Sequence, residues 1–179
     1  KRVPGTADAA AVLQQLKPFS HTGPHEPRVI EATQFVRANA AKGLAWTAIP
    51  NLGHGAGAVL ALPQGRAPTT VADDVRLDYE VETALPNSWT LKLHMLPTID
   101  VRKSGGIRVA VAIGDQPPQT LTLNLIPTAT SADTTEQKNW SRAVIANDFV
   151  LAAKPVQLPA GRHVIRVWRL DDNAVLHKL

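Results

Sequence analysis

Cysteine is missing from the 179 residues. No disulfide framework, thiolate zinc site or cysteine nucleophile is therefore available, although the lack of thiols does not fix a compartment. Aromatic residues are scarce as well, with four Trp, one Tyr and three Phe. A sugar-stacking surface, which needs exposed rings, has few candidates. No apolar run approaches the roughly 18 residues of a membrane span, and the amino-terminal residues lack a charged-then-apolar export pattern. Any export signal is expected outside this sequence. The formal net charge is +4, but Arg2, Arg66, Lys92, Arg108 and Arg166 lie far apart. That scatter predicts a solvated mixed-charge surface rather than a nucleic-acid footprint. No Gly-x-Ser-x-Gly elbow is present, and no set of residues specifies catalysis.

The length suits one domain with a real core. Residues 1–27 have a linker-like composition, broken by Pro4, Gly5, Pro18, Gly23, Pro24 and Pro27. Within them only 7–16 could form a short docking helix, with Asp8 as its cap. His21 and His25 have the i, i+4 spacing of metal ligands, but Gly23 and Pro24 deny the helix that this spacing requires.

Residues 28–179 read as strands. Two alternating runs, 89–95 and 107–113, joined by a polar, glycine-containing connection, form a strand pair around which the rest is organised. In the first, Trp89, Leu91, Leu93 and Met95 share one face. In the second, Ile107, Val109, Val111 and Ile113 do so, and the small Ala110 and Ala112 on the other face predict a covered, central strand. Further strands are expected at 28–36, 58–62, 75–82, 120–126, 163–170 and 174–179. The segment 127–139 reads as a long loop, and 140–151 as two short strands broken at Asn147 and Asp148. Residues 84–88 make a tight turn, and the connection 99–105 is the part free to meet a partner. The total is about nine or ten short strands with almost no helical periodicity, which predicts an all-β fold, an antiparallel β-sandwich of jelly-roll type with a barrel as the alternative.

Gly53, Gly55 and Gly57 predict a loop with positive φ or a close backbone approach, and the absence of a following lysine and helix argues against phosphate binding. The six histidines, among them His54, His94 and His163, stand isolated and read as surface or hydrogen-bonded residues. The outward row Asp78, Glu80 and Glu82 reads as a solvated sheet face. Trp46 and Trp140 are the candidates for a sugar platform, with core packing as the competing role.

The segments together resemble the carboxy-terminal domain of glycoside hydrolase family 115, the xylan α-1,2-glucuronidases. The resemblance rests on Ile30-Glu31-Ala32 with Phe35, Trp46-x-x-Ile49-Pro50-x-Leu52-Gly53, Gly57-Ala58-Val59, Leu62-Pro63 and Leu77-x-Tyr79. It continues through Leu96-Pro97-Thr98, Gly106-Ile107-Arg108, Ile113-x-Asp115-x-Pro117-Pro118, Trp140, Asn147, Gly161-x-His163 and Trp168 with Asp171 and Val175. It implies a non-catalytic β-sandwich at the end of a secreted or periplasmic enzyme that removes glucuronic acid, or its 4-O-methyl form, from xylan. The implied partners are an upstream catalytic domain, a second copy in a homodimer and glucuronoxylan, with neither nucleic acid nor membrane. Catalytic residues would belong to that upstream domain, and none carries over here. An autonomous module binding glucuronoxylan and an independent glycan hydrolase are the alternatives. The sandwich is also similar to galactose-binding-like modules, carbohydrate-binding module families 6 and 35. This likeness implies a structural calcium held by Glu31 with Asp171 or Asp172, although Thr33 stands where a second acidic residue is usual. No other cofactor is implied.

Overall fold

The computed structural model describes residues 27–125 and 134–179. The readings of residues 1–26, including the short helix and the His21/His25 spacing, and of residues 126–133 fall outside that description. The described residues form twelve strands: β1 (Arg37–Asn39), β2 (Ala45–Ile49), β3 (Ala58–Leu62), β4 (Arg76–Thr83), β5 (Asn87–Trp89), β6 (Lys92–Met95), β7 (Ile107–Ile113), β8 (Gln119–Leu123), β9 (Phe149–Ala152), β10 (Val156–Leu158), β11 (Gly161–Arg169) and β12 (Leu176–Lys178). One sheet has the order β1-β4-β11-β7-β8 and the other β2-β3-β12-β6-β9, with β10-β5 as a separate ribbon. Every pairing is antiparallel. The two five-stranded sheets pack face to face as an open sandwich, not a closed barrel.

Strict alternation explains the core. On β4, Leu77 and Tyr79 point inward, and on β7, Val109 and Val111 do the same. They meet Trp46, Val59, Leu93, Met95, Leu151 and Leu176 from the opposite sheet in one cluster. β11 runs between β4 and β7, with Val167 level with Leu77 on one side and Val111 on the other. Its second face is covered as well: Trp168 and Leu170 join Ala110 and Ala112 in a smaller cluster against Val71. Thr69 holds the covering segment down, its backbone N–H donating to the Leu170 carbonyl at 2.7 Å and its hydroxyl to the Arg169 carbonyl. The small alanines of β7 are there because another layer of chain lies over them.

Several expectations need correction. The runs 89–95 and 107–113 do not pair. The first breaks after Trp89, which joins β10, and its remainder, β6, lies in the opposite sheet from β7. The turn at 84–88 is consequently not a hairpin. The expected first strand at 28–36 is displaced to β1, because residues 30–32 instead bond the chain's last residues. The Ile30 and Leu179 backbones exchange N–H···O bonds of 2.9 and 2.8 Å, and the Ala32 N–H donates to the His177 carbonyl. Asp78 is buried rather than solvated.

The largest correction is a helix, α1 (Thr135–Ala146), where loop and strands were expected. Thr134 caps it, its side chain accepting from the Gln137 N–H at 3.2 Å. Asn147, at φ 48°, ends it in the left-handed region. The Asn147 N–H bonds the Val144 carbonyl and the Asp148 N–H the Ala143 carbonyl. That pair is a Schellman motif, and it fixes where Asp148 points.

Candidate functional site

His54, His94, Asp148 and His177 converge beside the interior strands of the second sheet, on residues from the β2–β3 loop, β6, the turn that follows α1 and β12. His177 gets there through an irregularity of register. Leu176 lies opposite Met95 and Lys178 opposite His94, so His177 is the extra residue of a β-bulge. Bulges re-aim side chains, and this one turns an imidazole toward Asp148. The loop above it depends on Gly53, at φ 79°, where a Cβ would lie 3.1 Å from the His177 Cβ. A side chain there would press on the histidine.

Asp148 bridges two rings. Its Oδ2 lies 2.8 Å from His94 Nδ1, and its Oδ1 lies 3.0 Å from His177 Nε2. An ionised carboxylate only accepts, so both ring nitrogens donate, and His94 Nδ1 and His177 Nε2 each carry a proton. Burial raises the Asp148 carboxyl, and hydrogen bonds from His177 and His94 lower it by more, leaving it below the ordinary carboxylate value. His177 is almost fully buried, while the His94 and Asp148 side chains keep 26% and 23% of their surface, so solvent reaches the cluster from that side. His177 Nδ1 faces the His54 backbone, with the N–H and the carbonyl both 3.4 Å away. The His54 ring sits 2.8 Å from the Ala146 carbonyl and thereby caps the C-terminus of α1. Among the described residues, His94, Asp148 and His177 form the group with metal-ligand spacing, their ligand atoms all within 4.8 Å of one another. Sequence offered no signal for it, since 94, 148 and 177 have no motif spacing.

The residues singled out from sequence are placed elsewhere. Trp46 is 8% exposed and belongs to the main core, so no ring face is open for stacking. Trp140 is half-buried on α1 and packs against the same core. Glu31 accepts from the Ala56 N–H at 3.2 Å, beside Gly55, whose φ of 96° favours glycine. Asp171 accepts from the Arg108 N–H, Nε and Nη2 at 2.9, 2.7 and 3.0 Å. Asp172 accepts from Arg169 Nη2. Both aspartates thus hold guanidinium groups, while Glu31 is bonded to a loop N–H.

Asp171 makes a measurable prediction. Burial raises its carboxyl, and the bonds from Arg108 outweigh that, so its folded pKa lies below the ordinary value. Such a group stabilises the fold at neutral pH and loses that contribution as pH falls through the depressed folded value. Asp171→Asn is expected to cost about 2–4 kcal/mol at pH 7. The gap from the parent protein, read by urea unfolding, should narrow at about pH 3 or below, under the unfolded carboxylate pKa. A gap that stays constant from neutral to acid would refute the ionic role.

A profile described as glycosyl hydrolase family 115 C-terminal domain matches residues 29–179. The chain belongs to that family. No curated protein sequence matches it. Among solved structures, a family GH115 4-O-methyl-alpha-glucuronidase, named as specific for decorated arabinogalactans, is similar with TM-score 0.56 and 16% identity. The match covers 84% of this chain and 17% of that one. A Bacillus thuringiensis Cry1Da tryptic core variant gives TM-score 0.54 and 10% identity over 87% of this chain and 23% of that one. A family 35 carbohydrate binding module from Clostridium thermocellum gives 0.50 and 13%, over 86% and 96%. At these identities the likeness shows the fold alone. This GH115 C-terminal domain thus shares a jelly-roll sandwich with a carbohydrate binding module, and the match spans under a fifth of the glucuronidase's length. No helix among its described residues is long and apolar enough to cross a membrane.

Proposed function

We propose that this GH115 domain is a non-catalytic module of a secreted enzyme that removes glucuronate or 4-O-methylglucuronate from xylan, and that it packs as a scaffold against the catalytic domain or a second copy. The fate of the carboxylates carries this reading. Asp78 pairs with Arg76, Asp171 with Arg108, Asp172 with Arg169 and Asp148 with two histidines. Glycoside cleavage needs two carboxyls facing one cleft with separated pKa values. These acids are instead committed to internal pairs.

The β6–β7 connection supports the scaffold role. The Asp100 carboxylate accepts from the N–H groups of Arg102, Ser104 and Gly106, at 3.1, 2.7 and 2.9 Å. That pinned backbone displays Ile99 and Val101, 55% and 69% exposed. Two apolar side chains on a rigid loop suit a contact with another domain. The test sets the isolated chain beside the parent enzyme with and without it, using aldouronic acids and glucuronoxylan. The isolated chain is expected to release no uronic acid, and the truncated parent to lose thermal stability or its oligomeric state. Turnover by the isolated chain would overturn the proposal.

A further inference from the structure

The geometry points to a binding site for a first-row divalent cation of zinc type, ligated by His94 Nδ1, His177 Nε2 and one oxygen of Asp148. Two imidazoles and a carboxylate match zinc and its neighbours better than calcium or magnesium, which prefer all-oxygen shells. The spacing is close to what such an ion needs. Zinc bonds of about 2.0–2.2 Å in tetrahedral array put ligand atoms roughly 3.3 Å apart. The separations of 2.8 Å to Asp148 Oδ2 and 3.0 Å to Oδ1 must open by a few tenths of an ångström, and the three ligand atoms, all within 4.8 Å of one another, must draw together onto one ion by side-chain rotation. The solvent-facing side, at His94 and Asp148, leaves the fourth position for water.

The surroundings accept the change of tautomer that ligation demands. With an ion in place the nitrogens now donating to Asp148 must be bare, and their protons move to the far side of each ring. His177 then carries its proton on Nδ1, where the His54 carbonyl waits at 3.4 Å; at present the His54 N–H faces the same nitrogen at 3.4 Å. A backbone carbonyl behind a ligating imidazole is the usual outer-shell partner of a protein metal site. His94 places its free proton on Nε2, on the partly exposed side of the ring. The ion would tie β6, the turn after α1 and the bulged β12 together, with the β2–β3 loop behind His177 as an outer-shell partner.

The test uses the tag-free full chain, stripped with a chelator and titrated with zinc chloride by calorimetry, with cobalt(II) as a spectroscopic probe. One equivalent is expected to bind, raise the melting temperature and give the intense visible bands of a tetrahedral cobalt site. His94→Ala and Asp148→Asn, at partly exposed positions, should each weaken binding by at least about the 10–100-fold that loss of an outer-shell partner causes. His177→Ala is expected to abolish it. Because that variant removes a buried side chain, circular dichroism of the His94→Ala protein provides the folded control. Binding unchanged in His94→Ala, binding that disappears only in a His21→Ala/His25→Ala protein, or no binding at all would each overturn the site.

Discussion

Truncating Asp172 to alanine is expected to destabilise the domain by about 3–5 kcal/mol, the cost of breaking a buried ion pair by removing one partner. Arg169 is 1% exposed and Asp172 6%. The guanidinium donates to the carbonyls of Ala67 and Arg66 and to Asp172 Oδ1, while its Nε and the Asp172 Oδ2 have no hydrogen-bond partner. A cation in this position has been stripped of water, and two carbonyls cannot neutralise it. Asp171 feels the same charge, which helps to lower its carboxyl pKa, but its own bonds go to Arg108. The loss should appear as a lower urea midpoint with an unchanged slope. Pairing the change with Arg169→Met should recover much of the stability, because an apolar pair of similar volume avoids both desolvation penalties. A single-variant loss below about 1 kcal/mol, the level of an ordinary hydrogen bond, would mean that the carbonyls alone satisfy Arg169.

How far the sequence revealed this arrangement depends on what alternation can report. Period-2 patterning says which face of a strand is buried, and it did so for Leu77 and Tyr79, for Ile107 through Ile113, and for Leu123. It does not say which strand lies alongside. For that reason β6 and β7, adjacent in sequence, looked paired while standing in opposite sheets. Helix α1 was hidden by its composition. Val144 and Ile145, 47% and 86% exposed, put β-branched apolar residues on the solvent side, so the stretch lacks a helical stripe. Its ends were nevertheless legible, since Thr134 followed three residues later by Gln137 is a capping pattern and Asn147 tolerates positive φ. On β11, Val167 packs in the core between the sheets and Trp168 under the segment pinned by Thr69, so both faces are covered and strict alternation is lost. The histidine cluster had no sequence trace. It is assembled by long-range pairing and a one-residue bulge at His177, and neither follows from local pattern.

Trp46→Ala is expected to cost about 3–5 kcal/mol, as large aromatic-to-alanine changes in a packed core do. The ring lies on β2, level with Ala61 of β3, inside the cluster shared by both sheets. Its indole N–H is buried without a partner. Trp46→Phe should therefore cost much less than the lost volume suggests, because it also removes an unsatisfied donor. This contrast separates packing from sugar stacking. A stacking platform tolerates the exchange of one ring for another and fails without a ring, while the fold stays stable in both variants. A core residue makes the alanine variant unstable first, and any loss of glucuronoxylan retention in affinity electrophoresis then follows the unfolded fraction. Trp140, half-buried on α1, is the better probe of a surface role. Trp140→Ala should lower stability by about 1–3 kcal/mol, a partial-burial loss, and leave most of the protein folded. Retention lost from Trp46→Ala protein while its melting curve matches the parent would restore the platform reading for Trp46 and contradict its place in the core.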